Sequence, residues 1–204
     1  MRCRKRGLAA IMLKPLQGEG GIKPGTWEYF ALARELADAN GALLICDEVQ
    51  ALSGGVPIGA MMTTKLVSDT FGPGDHANTY GGNPLACAVG LAMAKYLSEH
   101  DVLSNVRARR EQLVVGLADI VGRYPTVLGE TRGWGLLRGV VIKDDAGCTT
   151  VELVGDAMKE GLLLVAAGPS VVHFVPPLVV KESEVAEALV RFERAIATIV
   201  STTP

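Results

Sequence analysis

The sequence is poor in the residues from which metal sites and disulfide frameworks are built. Its cysteines and histidines are widely scattered, with no Cys-x-x-Cys pair and no metal-ligand spacing. They are Cys3, Cys46, Cys87 and Cys148, and His76, His100 and His173. Scattered thiols are typical of a reducing compartment, so we expect a cytoplasmic protein that holds no structural metal.

Strong charge and long apolar runs are absent as well. The net charge of -2 and the pI of about 5.9 do not suggest a nucleic-acid surface. No apolar run approaches the roughly 18 residues that a membrane-spanning helix needs. The one basic cluster, residues 2–6, lacks the apolar segment of a signal peptide, and a solvated lead-in to the first strand is favoured over a basic arm.

The composition that remains is globular. Hydrophobic residues make up 49% of the 204 residues and charged residues 21%, which is ample apolar material for a core. This length allows one large domain or two small ones.

The stretch from Ala42 to Gln50 places two carboxylates at the end of an apolar run. Such a run predicts a strand buried on both faces, as in a parallel sheet. Open α/β sheets bind ligands at the carboxyl ends of these strands, which is where Asp47 stands. A carboxylate in this setting needs a cationic partner, because an unpaired buried charge is costly. The alternative is that Asp47 and Glu48 only open a loop or cap a helix.

A second apolar run, Leu8–Leu13, precedes this stretch and predicts another strand. The segment between the two runs has a helical pattern that begins after Thr26 and ends at Asn40-Gly41. A strand, a helix and a strand joined by short links form a βαβ unit, so the two strands should be parallel. The glycine-rich loop Gln17–Gly21 lacks the ending of a Walker loop.

The middle of the chain is polar and rich in glycine over residues 72–84, and loops of this length are usually functional. Residues 58–63 are compatible with a strand. Asn83 followed by Pro84 predicts a helix N-terminus. The helix from about Pro84 to Leu97 is rich in alanine and mostly apolar, so we expect it to be buried.

The remaining residues combine long helical stripes with short strands. One helix is predicted from about Ser104, another over about residues 150–160, and the last from about Ser183. The apolar stripes of the first and last helices are Val106, Leu113, Leu117 and Ile120, and Val185, Leu189, Phe192, Ile196 and Ile199. The shift in pattern places a domain boundary near residue 104, between a parallel α/β part and a smaller α+β part.

Four sequence blocks, taken together and in order, resemble the class III aminotransferases, which are fold-type I enzymes that use pyridoxal phosphate. The blocks are Gln17–Gly21, Asp47–Gln50, Gly54–Met61 and Thr79–Ala86. The later blocks Arg132–Leu137 and Val175–Leu178 are similar to the acetylornithine aminotransferase subgroup, with ornithine and 4-aminobutyrate aminotransferases as close relatives. The resemblance implies part of a fold-type I large domain over residues 1–104 and a small α+β C-terminal domain over residues 105–204.

The resemblance also implies cofactor contacts. Asp47 would pair with the protonated pyridine nitrogen of pyridoxal phosphate, and Glu48 belongs to the same motif. Val49 would pack on one face of the ring, and Gln50 would hydrogen-bond near its phenolic oxygen. Thr79 would donate its hydroxyl to the phosphate across the interface of a homodimer.

Substrate contacts follow from the same resemblance. The substrates would be an amino acid and 2-oxoglutarate. Asn78 occupies the place where relatives often carry a serine that touches the substrate, and Glu19 would be the gating carboxylate. His173 stands where relatives have the arginine that grips the substrate carboxylate, and Lys14 stands where they usually have glutamate.

One part of the family pattern is missing from the middle of the chain. The family's Schiff-base lysine lies just before an Ala-Leu-Gly-Gly-Gly-type loop, but here Gln50 is followed directly by the loop residues 51–55. The chain also has no counterpart of the glycine-rich turn and helix N-terminus that grip the phosphate in the family. Two alternatives stay open: an aminotransferase from which a segment is missing, or a non-catalytic product of an enzyme gene, which would be a truncated relic or a chain that dimerises or binds partners without chemistry.

Overall fold

The computed structural model describes residues 7–49 and 58–202. They divide into two compact units, which are described separately below. The first unit holds the residues up to Asp47 together with those from Val102 onward, and the second holds Glu48–Asp101.

The first unit opens with a parallel strand–helix–strand arrangement. Its elements are β1 (Ala10–Leu13), β2 (Leu16–Gln17), β3 (Lys23–Pro24), α1 (Trp27–Ala39) and β4 (Leu43–Cys46). As predicted, β1 and β4 pair in parallel, with Ala10 opposite Leu43. The hydroxyl of Thr26 accepts a hydrogen bond from the backbone N–H of Tyr29 and caps α1, as its position before the helical pattern predicts.

The prediction that the strand before Asp47 is buried on both faces is wrong. Ala33 and Ala37 of α1 are buried on the side of the sheet that the helix covers. On the other face, Met12 lies opposite Ile45, and these side chains are 68% and 42% exposed. The reason is that this sheet has two strands among the described residues, and one helix covers only one of its faces.

The second unit holds the helices α2 (Lys65–Ser68) and α3 (Pro84–Glu99). The predicted N-terminus of α3 is confirmed, because Asn83 Oδ1 accepts a hydrogen bond from the backbone N–H of Ala86 at 2.9 Å. Residues 58–63, which were compatible with a strand, form none.

The prediction that α3 is buried is also wrong. Ala86 is its one buried residue among those described, while Leu85 and Leu91 are 72% and 58% exposed. An apolar sequence makes burial favourable, but burial also needs a surface to pack against, and this small unit offers little of one.

The first unit continues with an antiparallel sheet covered by helices. Its elements are α4 (Val102–Arg123), β5 (Leu128–Trp134), β6 (Leu137–Ile142), α5 (Thr150–Lys159), β7 (Val165–Ala166), β8 (Val171–Phe174) and α6 (Glu182–Thr202). The strand order is β5-β6-β8-β7, and all neighbours are antiparallel. Helix α4 begins at Val102, close to the domain boundary predicted near residue 104. That boundary stays a prediction.

The main core lies between this sheet and its helices. Leu113, Leu117 and Ile120 of α4 are buried there, as their spacing predicts. Phe192 of α6 is fully buried, and its ring meets that of Phe174 edge to face with centroids 5.1 Å apart. The helices of the described residues include none that is long and apolar enough to cross a membrane.

The open face of the β1–β4 sheet generates a prediction about association. Exposed apolar faces next to strand edges favour contacts between chains. We expect sedimentation velocity to show self-association of the chain, and the double variant Met12→Lys, Ile45→Lys to shift it toward monomer. Leu103→Lys with Leu163→Lys, two exposed apolar sites elsewhere in the unit, is the control and should leave association unchanged. A wild-type chain that sediments as a single monomer would contradict this prediction.

Candidate functional site

The carboxyl ends of β1 and β4 bring a lysine and an aspartate together. Lys14 follows β1 and Asp47 follows β4, and because the strands are parallel both residues leave the sheet at the same edge. Lys14 Nζ lies 3.3 Å from Asp47 Oδ2, with the two side chains 27% and 33% exposed. The backbone N–H of Asp47 donates to the carbonyl of Leu13 at 2.9 Å. The cationic partner that a carboxylate in this setting needs is therefore supplied within the chain by Lys14.

The tip of the β2–β3 hairpin, residues 18–22, is a second fixed feature. The backbone N–H groups of Gly21 and Ile22 both donate to the carbonyl of Gly18, at 2.9 and 3.0 Å. Ile22 has a φ of 53°, a left-handed conformation that is unfavourable for a β-branched residue. Such a conformation costs about 1–3 kcal/mol and persists only where the surroundings enforce it.

The surroundings of the tip supply that constraint. Ile22 is fully buried, and a Cβ added to Gly139 of β6 would lie only 2.9 Å from the Cβ of Ile22. Arg132 Nε donates to the carbonyl of Gly21 at 2.6 Å. Ala167 and Val171 pack around Ile22 in a small apolar cluster. The tip is therefore held against the antiparallel sheet by packing and by a charge-assisted hydrogen bond.

His173 stands on the face of the sheet that carries this tip. It lies directly opposite Gly139 in the β6–β8 ladder and is 7% exposed. Its Nδ1 atom has no hydrogen-bond partner within the part of the chain that the structure describes. Burial lowers the pKa of His173 below its ordinary value, and the carboxylate of Glu19 opposes this shift. The structure thus brings Glu19 and His173 within electrostatic range of each other and keeps the imidazole neutral at neutral pH.

The remaining predicted site residues belong to the second unit. Asn78 Oδ1 accepts hydrogen bonds from the backbone N–H groups of Tyr80 and Gly81, each at 3.1 Å, so this side chain shapes its own turn. Thr79 is exposed in that turn, and Glu48 and Val49 open the unit. Gln50 and its junction with residue 51 lie outside the described residues.

Sequence reasoning missed three residues that shape this region. Lys14 departs from the family pattern, but the sequence does not identify it as the partner of Asp47, because the parallel arrangement alone does not fix the register that sets the two residues side by side. Ile22 and Arg132 hold the tip of the β2–β3 hairpin against the antiparallel sheet. Gly139 was an available sequence signal, because a glycine leaves space above the sheet for another side chain.

Arg138 was missed as well, although an arginine inside the apolar run Leu136–Ile142 is an identifiable signal. It is 6% exposed, and its guanidinium donates to the carbonyl of Gly133. Burial lowers the pKa of Arg138, and the positive charge of Arg110 lowers it further.

Comparison with known families places this geometry in context. The sequence profile of the family described as class-III aminotransferase matches residues 2–51 and 50–196. The acetylornithine aminotransferase of Synechocystis sp. is 49% identical over 219 aligned positions, which cover 95% of this chain and 51% of that protein. The acetylornithine aminotransferase of Nostoc sp. is 46% identical, with 94% and 51% covered. The chain therefore spans about half the length of the curated relatives it matches.

Solved structures agree with these sequence matches. The N-acetylornithine aminotransferase of Stenotrophomonas maltophilia K279a matches with a TM-score of 0.83 and 35% identity, covering 95% of this chain and 57% of that chain. The ornithine aminotransferase of Toxoplasma gondii ME49 matches with a TM-score of 0.86 and 29% identity, covering 94% and 52%. The predicted partial fold-type I aminotransferase architecture is confirmed.

The matches also bear on the segment that the sequence predicts to be missing. The family profile aligns in two stretches that meet at residues 50 and 51. The alignment with the Synechocystis relative has 219 positions, more than the 204 residues of the chain, so it contains positions that this chain lacks. Both observations agree with the prediction that a segment of the family pattern is missing after Gln50.

The buried histidine generates a prediction about pH. An unfolded histidine binds a proton near pH 6.5, whereas folded His173 binds it only at lower pH. The unfolded state therefore binds more protons below about pH 7, and the free energy of unfolding falls as the pH drops. We expect this fall between pH 7.5 and 5.5, measured by urea denaturation, to be smaller in His173→Leu than in wild type. His76→Leu controls for the loss of an exposed histidine, and parallel profiles for wild type and His173→Leu would refute the assignment.

Proposed function

Because this chain belongs to the class-III aminotransferase family, we propose that it is part of a pyridoxal-phosphate-dependent enzyme of arginine biosynthesis. The enzyme would transfer the amino group of N-acetylornithine to 2-oxoglutarate, giving a semialdehyde and glutamate. The support is the 49% and 46% identity to proteins named acetylornithine aminotransferase. Since the chain spans about half the length of each of these relatives, we propose this activity for the whole protein and not for this chain alone.

The observation that carries the proposal is the placement of Asp47 at the carboxyl end of a parallel strand, where open α/β sheets bind ligands. The residues present fit a ring with a cationic nitrogen, because the Asp47 carboxylate is part-exposed and already accepts an ammonium group at 3.3 Å. When bound, pyridoxal phosphate supplies an electron sink for the carbanion that amino transfer requires. Asp47 would hold the ring nitrogen in its protonated form.

The other roles in the proposal follow the family motifs. Glu48, Val49 and Gln50 would line the ring after Asp47, and Thr79 would donate its hydroxyl to the phosphate. The Thr79 contact would be made across a homodimer interface, and we propose a cytoplasmic location.

Three further residues would contact the substrate. Asn78 and Glu19 would lie at the substrate side of the site. His173 would replace the arginine that grips a carboxylate, but it offers no permanently charged bidentate fork, and its burial keeps it neutral. Recognition of the substrate carboxylate would therefore be weaker through His173 than through arginine.

The segment missing after Gln50 limits what this chain does alone. In the family that segment bears the lysine that bonds to the cofactor, and neither Lys14 nor Lys65 stands in its place. Without this amine, proton transfer at the substrate carbon has no agent. The second candidate function is therefore a non-catalytic truncated relic or partner-binding chain of the same family, because Gln50 is followed directly by Ala51 and the lysine-bearing segment is missing between them. Ornithine or 4-aminobutyrate would be the alternative amine substrate of a complete enzyme.

Because the lysine-bearing segment is missing, we expect that the purified chain does not transfer amino groups. We expect no adduct at a single lysine after incubation with pyridoxal phosphate and reduction with borohydride, measured by peptide mass spectrometry. We also expect no glutamate from acetylornithine and 2-oxoglutarate. The complete Synechocystis relative, treated in parallel, is the positive control. A stoichiometric adduct at one lysine of this chain, together with turnover, would overturn the prediction.

A further inference from the structure

The ion pair at the end of β1 and β4 changes what Asp47 offers to a ligand. We propose that Lys14 is the resident counter-ion of Asp47 and weakens the binding of a protonated pyridine ring to this carboxylate. This inference deepens the proposed function, because it rests on the cofactor role of Asp47. It makes Lys14 a residue that sets cofactor affinity.

The geometry that supports this role is held by the backbone. Parallel pairing places Leu13 opposite Cys46, so the next residues, Lys14 and Asp47, lie side by side. The hydrogen bond from the backbone N–H of Asp47 to the carbonyl of Leu13 extends this pairing by one step. On the other side of Lys14, the carbonyl of Pro15 accepts a hydrogen bond from Gly25 at 2.9 Å. The two side chains therefore start from fixed positions, and their charged atoms are 3.3 Å apart.

The chemistry of the pair explains the weaker binding. A carboxylate that already faces an ammonium group gains less from a second cation, and the two cations repel each other. The cationic ring must then displace Lys14 or share Asp47 with it.

The expected size of the effect is moderate because both side chains are about one-third exposed. Exposed ion pairs contribute little, and partial burial raises their contribution. We expect removal of the Lys14 charge to tighten binding by about three- to ten-fold.

Pyridoxine 5′-phosphate is the appropriate probe. It carries the ring nitrogen and the phosphate but no aldehyde, so it cannot bond covalently to any lysine. Its dissociation constant is measured by equilibrium dialysis against the full chain and its variants. Lys14→Met removes the charge and keeps an unbranched apolar stem, while Lys14→Arg keeps the charge. Lys65→Met is the matched control, because Lys65 forms an exposed ion pair with Asp69 at 2.9 Å in the second unit.

The proposal requires that Lys14→Met binds about three- to ten-fold more tightly than wild type, while Lys14→Arg and Lys65→Met bind as wild type does. Adding Asp47→Asn to Lys14→Met must abolish the gain. If the Lys14→Met chain is unstable, Lys14→Gln serves the same purpose.

Three outcomes would overturn the proposal. If Lys14→Met binds no more tightly but Asp47→Asn in that background weakens binding, the inference fails and the cofactor role of Asp47 stands. If Lys14→Met gains affinity that Asp47→Asn does not remove, the gain does not act through Asp47, and both the inference and that role fail. If neither Lys14→Met nor Lys14→Gln binds the probe, the inference fails.

Discussion

The parallel pairing of β1 and β4 is the constraint on which the candidate site depends. It aligns the ends of two strands, Leu13 and Cys46, which are 33 residues apart in the sequence, and sets Lys14 beside Asp47. A shift of one residue in this register would turn one of the two side chains to the opposite face of the sheet. Backbone hydrogen bonds between the two strands thus fix the positions of Lys14 and Asp47 in the candidate site.

A second constraint ties the N-terminal hairpin to the antiparallel sheet. Ile22 accepts an unfavourable backbone conformation because its side chain fills the space above Gly139. The same contact covers the sheet next to His173, which explains why this histidine is buried and neutral. Glu19 lies on the same tip, so its carboxylate acts on His173 without a direct bond between them.

Local structure was predictable where local rules decide it. The Asn83 cap, the buried stripe of α4 and the parallel strands all follow from periodicity and capping chemistry. The burial of β4 and α3 was not predictable, because an apolar sequence does not show whether a covering surface is present. The Lys14–Asp47 ion pair depends on the register of β1 and β4, and the packing of Ile22 depends on the distant Gly139. No local sequence pattern predicts either of them. The roles of Thr79 and Gln50 stay predictions from the family motif.

The central claim is that the strand end with Asp47 is competent for cofactor chemistry and that the chain lacks the segment that would use it. The most direct test joins this chain to the preceding half of the Synechocystis relative and restores that relative's segment between Gln50 and residue 51. Amino transfer from acetylornithine to 2-oxoglutarate is then measured. The account predicts activity in the restored protein and, since Asp47 would keep the ring nitrogen protonated, a loss of about a hundred-fold or more in Asp47→Asn. A restored protein that folds and binds cofactor but shows no transfer, or one whose activity is unchanged by Asp47→Asn, would contradict it.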